Sequence, residues 1–156
     1  MNVNLEMLLT GLISVVFLAL MICISWLDWK HRIIPNRLVA ILLALSIVQL
    51  FLQSHAGQSI WIDLFALLPG LIFIPAWIQG KIGAGDIKLL LVCGLFLGWP
   101  AAFSMVLLLL ILVLFSAAYF LVRKRTLRIR FPLGPLICTA ATLIHFTKYL
   151  LSMIHF

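Results

Sequence analysis

Residues 5–26 read LEMLLTGLISVVFLALMICISW, and Leu27-Asp-Trp-Lys-His-Arg-Ile-Ile-Pro-Asn36 follows directly. As a helix, the apolar run rises about 33 Å, enough to cross a hydrocarbon core of roughly 30 Å. It is expected to be a retained helix rather than a signal peptide. No Lys or Arg precedes it, it is longer than a signal-peptide core, and no small-x-small cleavage site follows. The sequence after it changes character abruptly, with Asp28, Lys30, Arg32 and Pro35 within eight positions. A proline fixes its own φ and biases the preceding residue away from helix, so Pro35 is predicted to separate the first helix from the second.

The composition generalises that reading. Of 156 residues, 65% are hydrophobic and 10% charged, and the mean hydropathy is +1.28. An average soluble domain is about half apolar and a quarter charged. No core of this size hides so much apolar surface, which excludes a water-soluble domain, a disordered chain and a disulfide scaffold. The expected fold is an all-α polytopic membrane protein forming a single domain over residues 1–156, with about six transmembrane helices. The apolar runs that define them are residues 5–26, 33–52, 60–78, 82–97, 101–122 and 136–156.

The fourth run is unusual. After Asp86 it has only about eleven mostly apolar residues, roughly 17 Å of helix, so this segment is expected to be short or broken. Gly83-Ala-Gly85 stands at its start, where glycine permits close backbone approach. Gly94 and Gly98 form a small-x-x-x-small pair suited to close helix packing.

The net charge of +7 comes from 11 basic and 4 acidic residues. No basic domain exists to bind nucleic acid, and the cations suit loops facing anionic headgroups. Lys30, Arg32 and Arg37 lie in or just beyond the first linker, Lys81 and Lys88 around the third, and Arg123, Lys124, Arg125, Arg128 and Arg130 in the fifth. The second and fourth linkers carry no Lys or Arg. The positive-inside rule therefore puts linkers one, three and five in the cytosol and both termini outside. Lys148, in the last run, is expected to snorkel to the headgroups at the outer end. Cys23, Cys93 and Cys138 form no C-x-x-C pair and are expected to be small buried apolar residues. No cofactor or metal is expected.

Carboxylates near hydrocarbon are costly, so each of the four needs a reason. Glu6 is expected to be solvated at the interface, and Asp63 to complement the dipole in the first turn of the third helix. Asp28 and Asp86 are different. Two spans separate them, so both fall on the same membrane face, the cytosolic one by the charge count. Asp86 also adjoins the glycine-rich stretch, where non-helical backbone is tolerated only beside protein or water.

Asp28, five residues, then Ile34-Pro35-Asn36, followed about fifty residues later by Gly83-x-Gly85-Asp86-x-Lys88-Leu89-Leu90, resembles the type IV prepilin peptidases. These are membrane aspartic proteases of the Gly-x-Gly-Asp class. Phe131-Pro-Leu-Gly-Pro135 is similar to the family's late proline-rich segment. The resemblance implies that Asp28 and Asp86 are catalytic, with Gly83, Gly85, Lys88, Pro35 and Asn36 in supporting or substrate-binding roles. It implies cleavage of a membrane-inserted prepilin or prepilin-like partner at the cytosolic face of the inner membrane. Longer members carry a segment with two C-x-x-C pairs. Its absence here resembles the short peptidases of tight-adherence or preflagellin systems and implies cleavage without N-methylation.

In such a mechanism the two carboxylates share one proton, because like charges at one site resist double ionisation. The ionised member takes a proton from water, and the protonated member donates to the scissile carbonyl. The sequence leaves open which is which. The alternative function is an ion-coupled transporter or channel component using the same carboxylates. A catalytically silent scaffold is the third reading. No Gly-x-Ser-x-Gly or His-Glu-x-x-His supports serine or zinc proteolysis.

Overall fold

A computed structural model describes residues 3–55, 60–124 and 133–154. The described residues contain helices and no strand. Helix α1 (Val3–His31) leads to α2 (Asn36–His55). The third segment is divided into α3 (Ile60–Leu64), a 3-10 turn (Phe65–Leu67), α4 (Leu68–Leu71) and α5 (Ile74–Ile78). Then come α6 (Ala84–Leu97), α7 (Ala101–Lys124) and α8 (Gly134–Ile154).

Six helical segments thus occupy the six expected stretches. Four of them are long and apolar enough to cross a bilayer: Leu8–His31, Asn36–Ser54, Trp61–Ile78 and Ala101–Tyr119. The expected fourth and sixth spans do not join that set. Helix α6 has 14 residues, about 21 Å of rise. Helix α8 carries Thr139, Thr142, His145, Thr147 and Lys148 along its length.

The fourth helix is short, as expected. Helix α6 is short but continuous, and the interruptions lie in the third segment. Pro69 and Pro75 explain them: each sits in the first turn of its own short helix, where a missing N–H is harmless, and each prevents the preceding helix from running through.

Pro35 acts as expected. Arg32 adopts φ 55° and its N–H donates to the Asp28 carbonyl at 2.9 Å, closing α1. Pro35 then offers its carbonyl to the N–H groups of Leu38 and Val39, starting α2.

Helix α6 is the buried axis. Nine of its residues are buried, among them Ile87, Leu89, Leu90, Cys93 and Phe96, and it packs against α2, α4, α7 and α8. A helix wrapped in protein need not match the bilayer thickness, which is why this one can be short. Phe96 stacks on Phe17 of α1 with ring centroids 4.0 Å apart, and His145 of α8 tilts against both rings. Ser46, fully buried on α2, donates to the carbonyls of Leu42 and Val92, at 2.8 and 3.2 Å. A Cβ on Gly94 would meet the Ala66 carbonyl oxygen at 2.6 Å, so this glycine lets the third segment cross α6 closely. Gly98 is also closely packed, against Asp63 of α3 and Gln53 of α2. It ends α6 at φ 71°, a conformation open to glycine.

The outer surface is apolar. Leu114, Phe115 and Val122 on α7 are 71, 71 and 85% exposed. Such a surface is stable only against lipid or another apolar partner. The five tryptophans lie near the two ends of the helices. Trp26, Trp29 and Trp77 are at one end and Trp61 and Trp99 at the other, as in interfacial belts. Among the cysteines, Cys93 and Cys138 are buried, but Cys23 is exposed on the outside of α1, a correction to the expectation for that residue.

Candidate active site

The C-terminal end of α1 and the N-terminal ends of α2, α6 and α8 meet at one end of the molecule. Each contributes part of a polar cluster. Asp28 projects from the last turn of α1 and is 5% exposed. Asp86 occupies the first turn of α6 and is half-buried. The two carboxylates are within electrostatic reach of each other.

The motif residues join these helices. Ile34 lies against Gly85, where an added Cβ would stand 3.2 Å from the isoleucine Cβ. Glycine at this position therefore brings the Ile34-Pro35-Asn36 turn onto the start of α6. The Lys88 ammonium donates to Asn36 Oδ1 at 3.3 Å, an exposed bond across the same junction. Gly83 precedes α6 with extended backbone. A Cβ there would lie 3.0 Å from Asp86 Oδ2. The sequence candidates Asp28, Pro35, Asn36, Gly83, Gly85, Asp86 and Lys88 are thus gathered at one end.

Sequence reasoning missed Gly134. Its N–H donates to Asp28 Oδ2 at 3.1 Å, in a buried contact across 106 positions of sequence. The available signal was the Leu133-Gly134-Pro135 triplet at the start of the last helix, which helix parity places at the same end as Asp28. The rest of that proline-rich motif, and Arg125, Arg128 and Arg130, lie outside the described residues, as does the side chain of Glu6.

Asp63 stands in the first turn of α3, as expected, but it is also buried, 3% exposed, and its Oδ2 has no hydrogen-bond partner among the described residues. Its Oδ1 approaches Gly98, where a Cβ would meet it at 2.8 Å. Lys148 does not simply snorkel outward. The residue is exposed, but its ammonium turns back to donate to the Leu97 carbonyl at 2.9 Å and lies within electrostatic reach of Asp63. This cluster is at the end opposite Asp28. The described residues contain no group of three His, Cys, Asp or Glu side chains able to hold a metal ion.

Long apolar helices that bring two carboxylates near each other at one end define a helical membrane protein with a candidate site there. Residues 15–122 match the model of the type IV leader peptidase family. That match covers more than half of the chain, and the protein belongs to this family of leader-peptidase-like proteases. No curated protein and no solved structure matches it.

Proposed function

We propose that the protein is an intramembrane aspartic endopeptidase that removes the leader from a type IV prepilin or prepilin-like protein. The observation that carries this reading is the pairing of Asp28 and Asp86 across two helices at one end of a chain of this family. Desolvation and like charge favour a pair that holds one proton. In that state one carboxylate accepts a proton from water, which attacks the scissile carbonyl. The other donates its proton to the carbonyl oxygen. No covalent acyl intermediate forms. The pair titrates as a unit, so the roles belong to the dyad rather than to fixed members.

The substrate in this reading has a basic leader in the cytosol and an apolar helix in the cytoplasmic membrane. Its scissile bond then lies at the interface, the depth marked beside Asp28 by Trp26 and Trp29, both about two-thirds exposed. Ten of the eleven basic residues fall in linkers one, three and five, which supports a cytosolic location for the site. The basic linkers face a basic leader and so serve topology rather than attraction.

The test is incubation of purified protein in detergent with a purified prepilin and no ion gradient. The proposal expects a single cut that releases the leader. An absence of cleavage, together with gradient-dependent ion movement in proteoliposomes, would replace it with the transporter reading.

A further inference from the structure

We propose that Gly134 is a positioning residue of the aspartate pair: its backbone N–H holds the Asp28 carboxylate, and its missing side chain makes room for it. Gly134 lies beyond the matched residues 15–122. The inference rests on the proposed peptidase reading for its functional meaning, while its geometry stands independently.

Three observations converge on this residue. The Gly134 N–H to Asp28 Oδ2 bond is 3.1 Å long and buried. A Cβ built on Gly134 would stand 2.5 Å from Asp28 Oδ2, 2.9 Å from its Cγ and 3.0 Å from its Cβ. Real Cβ atoms do not approach so closely, and the obstacle is a short side chain on a packed helix. Finally, Gly134 opens α8 and Pro135 follows it without an N–H. The donor that meets Asp28 thus belongs to the group of amides left unpaired at a helix start.

The geometry has a chemical consequence. A backbone N–H that donates to a carboxylate favours its ionised form. The groups facing Asp28 are Arg32 at the end of α1, Asp86 on α6 and Cys138 on α8. Only Asp86 is a second carboxylate; repulsion between the two opposes ionising both, and the amide favours ionising one of them. It holds the pair in the singly ionised state that water activation needs, and it fixes the direction of the Asp28 oxygens. Any side chain at 134 pushes the carboxylate away from this donor.

The experiment compares wild type, Gly134→Ala and Pro135→Ala in detergent. Prepilin cleavage is measured as kcat and KM across pH. The pH midpoint for modification of Asp28 by a hydrophobic carbodiimide, which reacts with protonated carboxyls, is read by peptide mass spectrometry. Gly134→Ala should lower kcat at least tenfold, with KM changed less than threefold. It should also move both the acid limb and the Asp28 labelling midpoint to higher pH by about one unit, the scale of one charge-assisted hydrogen bond. Pro135→Ala should match wild type in both. Wild-type midpoints and kcat in Gly134→Ala would overturn the inference. So would equal losses in Pro135→Ala, which would mark a general defect of the helix start. If wild type fails to cleave, the peptidase reading fails, and the labelling midpoint alone still decides whether Gly134 holds Asp28.

Discussion

The two ends of the helical bundle each bury a carboxylate, and they surround it differently. At one end Asp63 is 3% exposed and lies within reach of the Lys148 ammonium, which is itself tied to the last carbonyl of α6. That cation meets the negative end of the α6 dipole as well as the aspartate. At the other end Asp28 is 5% exposed, and the group across from it on α6 is a second carboxylate. Arg32 moderates the charge there, and the backbone N–H of Gly134 donates to Asp28. Burial alone is therefore a poor marker of function in this protein. A carboxylate near an ammonium is accounted for by charge compensation, whereas two neighbouring carboxylates store the protonation ambiguity that acid–base chemistry uses.

Breaking the pair should produce the largest effect. Asp28→Asn and Asp86→Asn remove groups that act as a unit, and each acid–base contribution is typically worth about 10²–10⁴-fold. The double variant should cleave prepilin little more slowly than either single variant. Multiplying losses in single-turnover cleavage would mean that the aspartates act separately.

The packing between the two ends comes next. Gly94→Ala places a Cβ 2.6 Å from the Ala66 carbonyl oxygen, against backbone rather than a flexible side chain. Overpacking of this kind costs roughly 1–3 kcal/mol. A lower Tm in detergent, with kcat unchanged below the transition, is expected. An unchanged Tm would show that the third segment yields easily.

At the far end, Asp63→Asn leaves the exposed Lys148 without its nearby carboxylate and should lower stability by up to about 1 kcal/mol, without altering kcat per folded molecule. Combining it with Lys148→Met should recover part of that loss, because replacing both charges also removes the desolvation penalty. A double-mutant cycle on thermal unfolding measures the coupling. Strict additivity would remove the electrostatic pair from the account.

Lys88→Met gives the smallest expected effect. Its bond to Asn36 is exposed and 3.3 Å long, so a change of KM within about threefold is the prediction. A hundredfold change in kcat measured in the same cleavage assay would move Lys88 into the chemistry.

Much of this arrangement was legible in one dimension. The long apolar runs gave the helices, Pro35 gave the first turn, and the parity of the spans put Asp28 and Asp86 at one end. Those features are local, or depend only on counting helices. Other features depend on which helix faces which. Asp63 is the first-turn residue its sequence suggests, but its nearness to a cation is seen only when α8 brings Lys148 to the C-terminal end of α6. Gly134 looks like a turn glycine until α1 delivers Asp28 to it. The division of the third segment was carried by Pro69 and Pro75, but its apolar run concealed the interruptions. Cys23 shares the apolar sequence of α1, and only the position of the neighbouring helices turns it outward.

The most direct measurement is prepilin cleavage by Asp28→Asn, Asp86→Asn and Asp63→Asn, purified side by side and matched for helix content. The account predicts at least a thousandfold loss in the first two and near wild-type turnover in the third, in line with the loss of acid–base groups at one end alone. Cleavage at a tenth of wild type in either Asp28→Asn or Asp86→Asn, or abolished cleavage by folded Asp63→Asn, would contradict it.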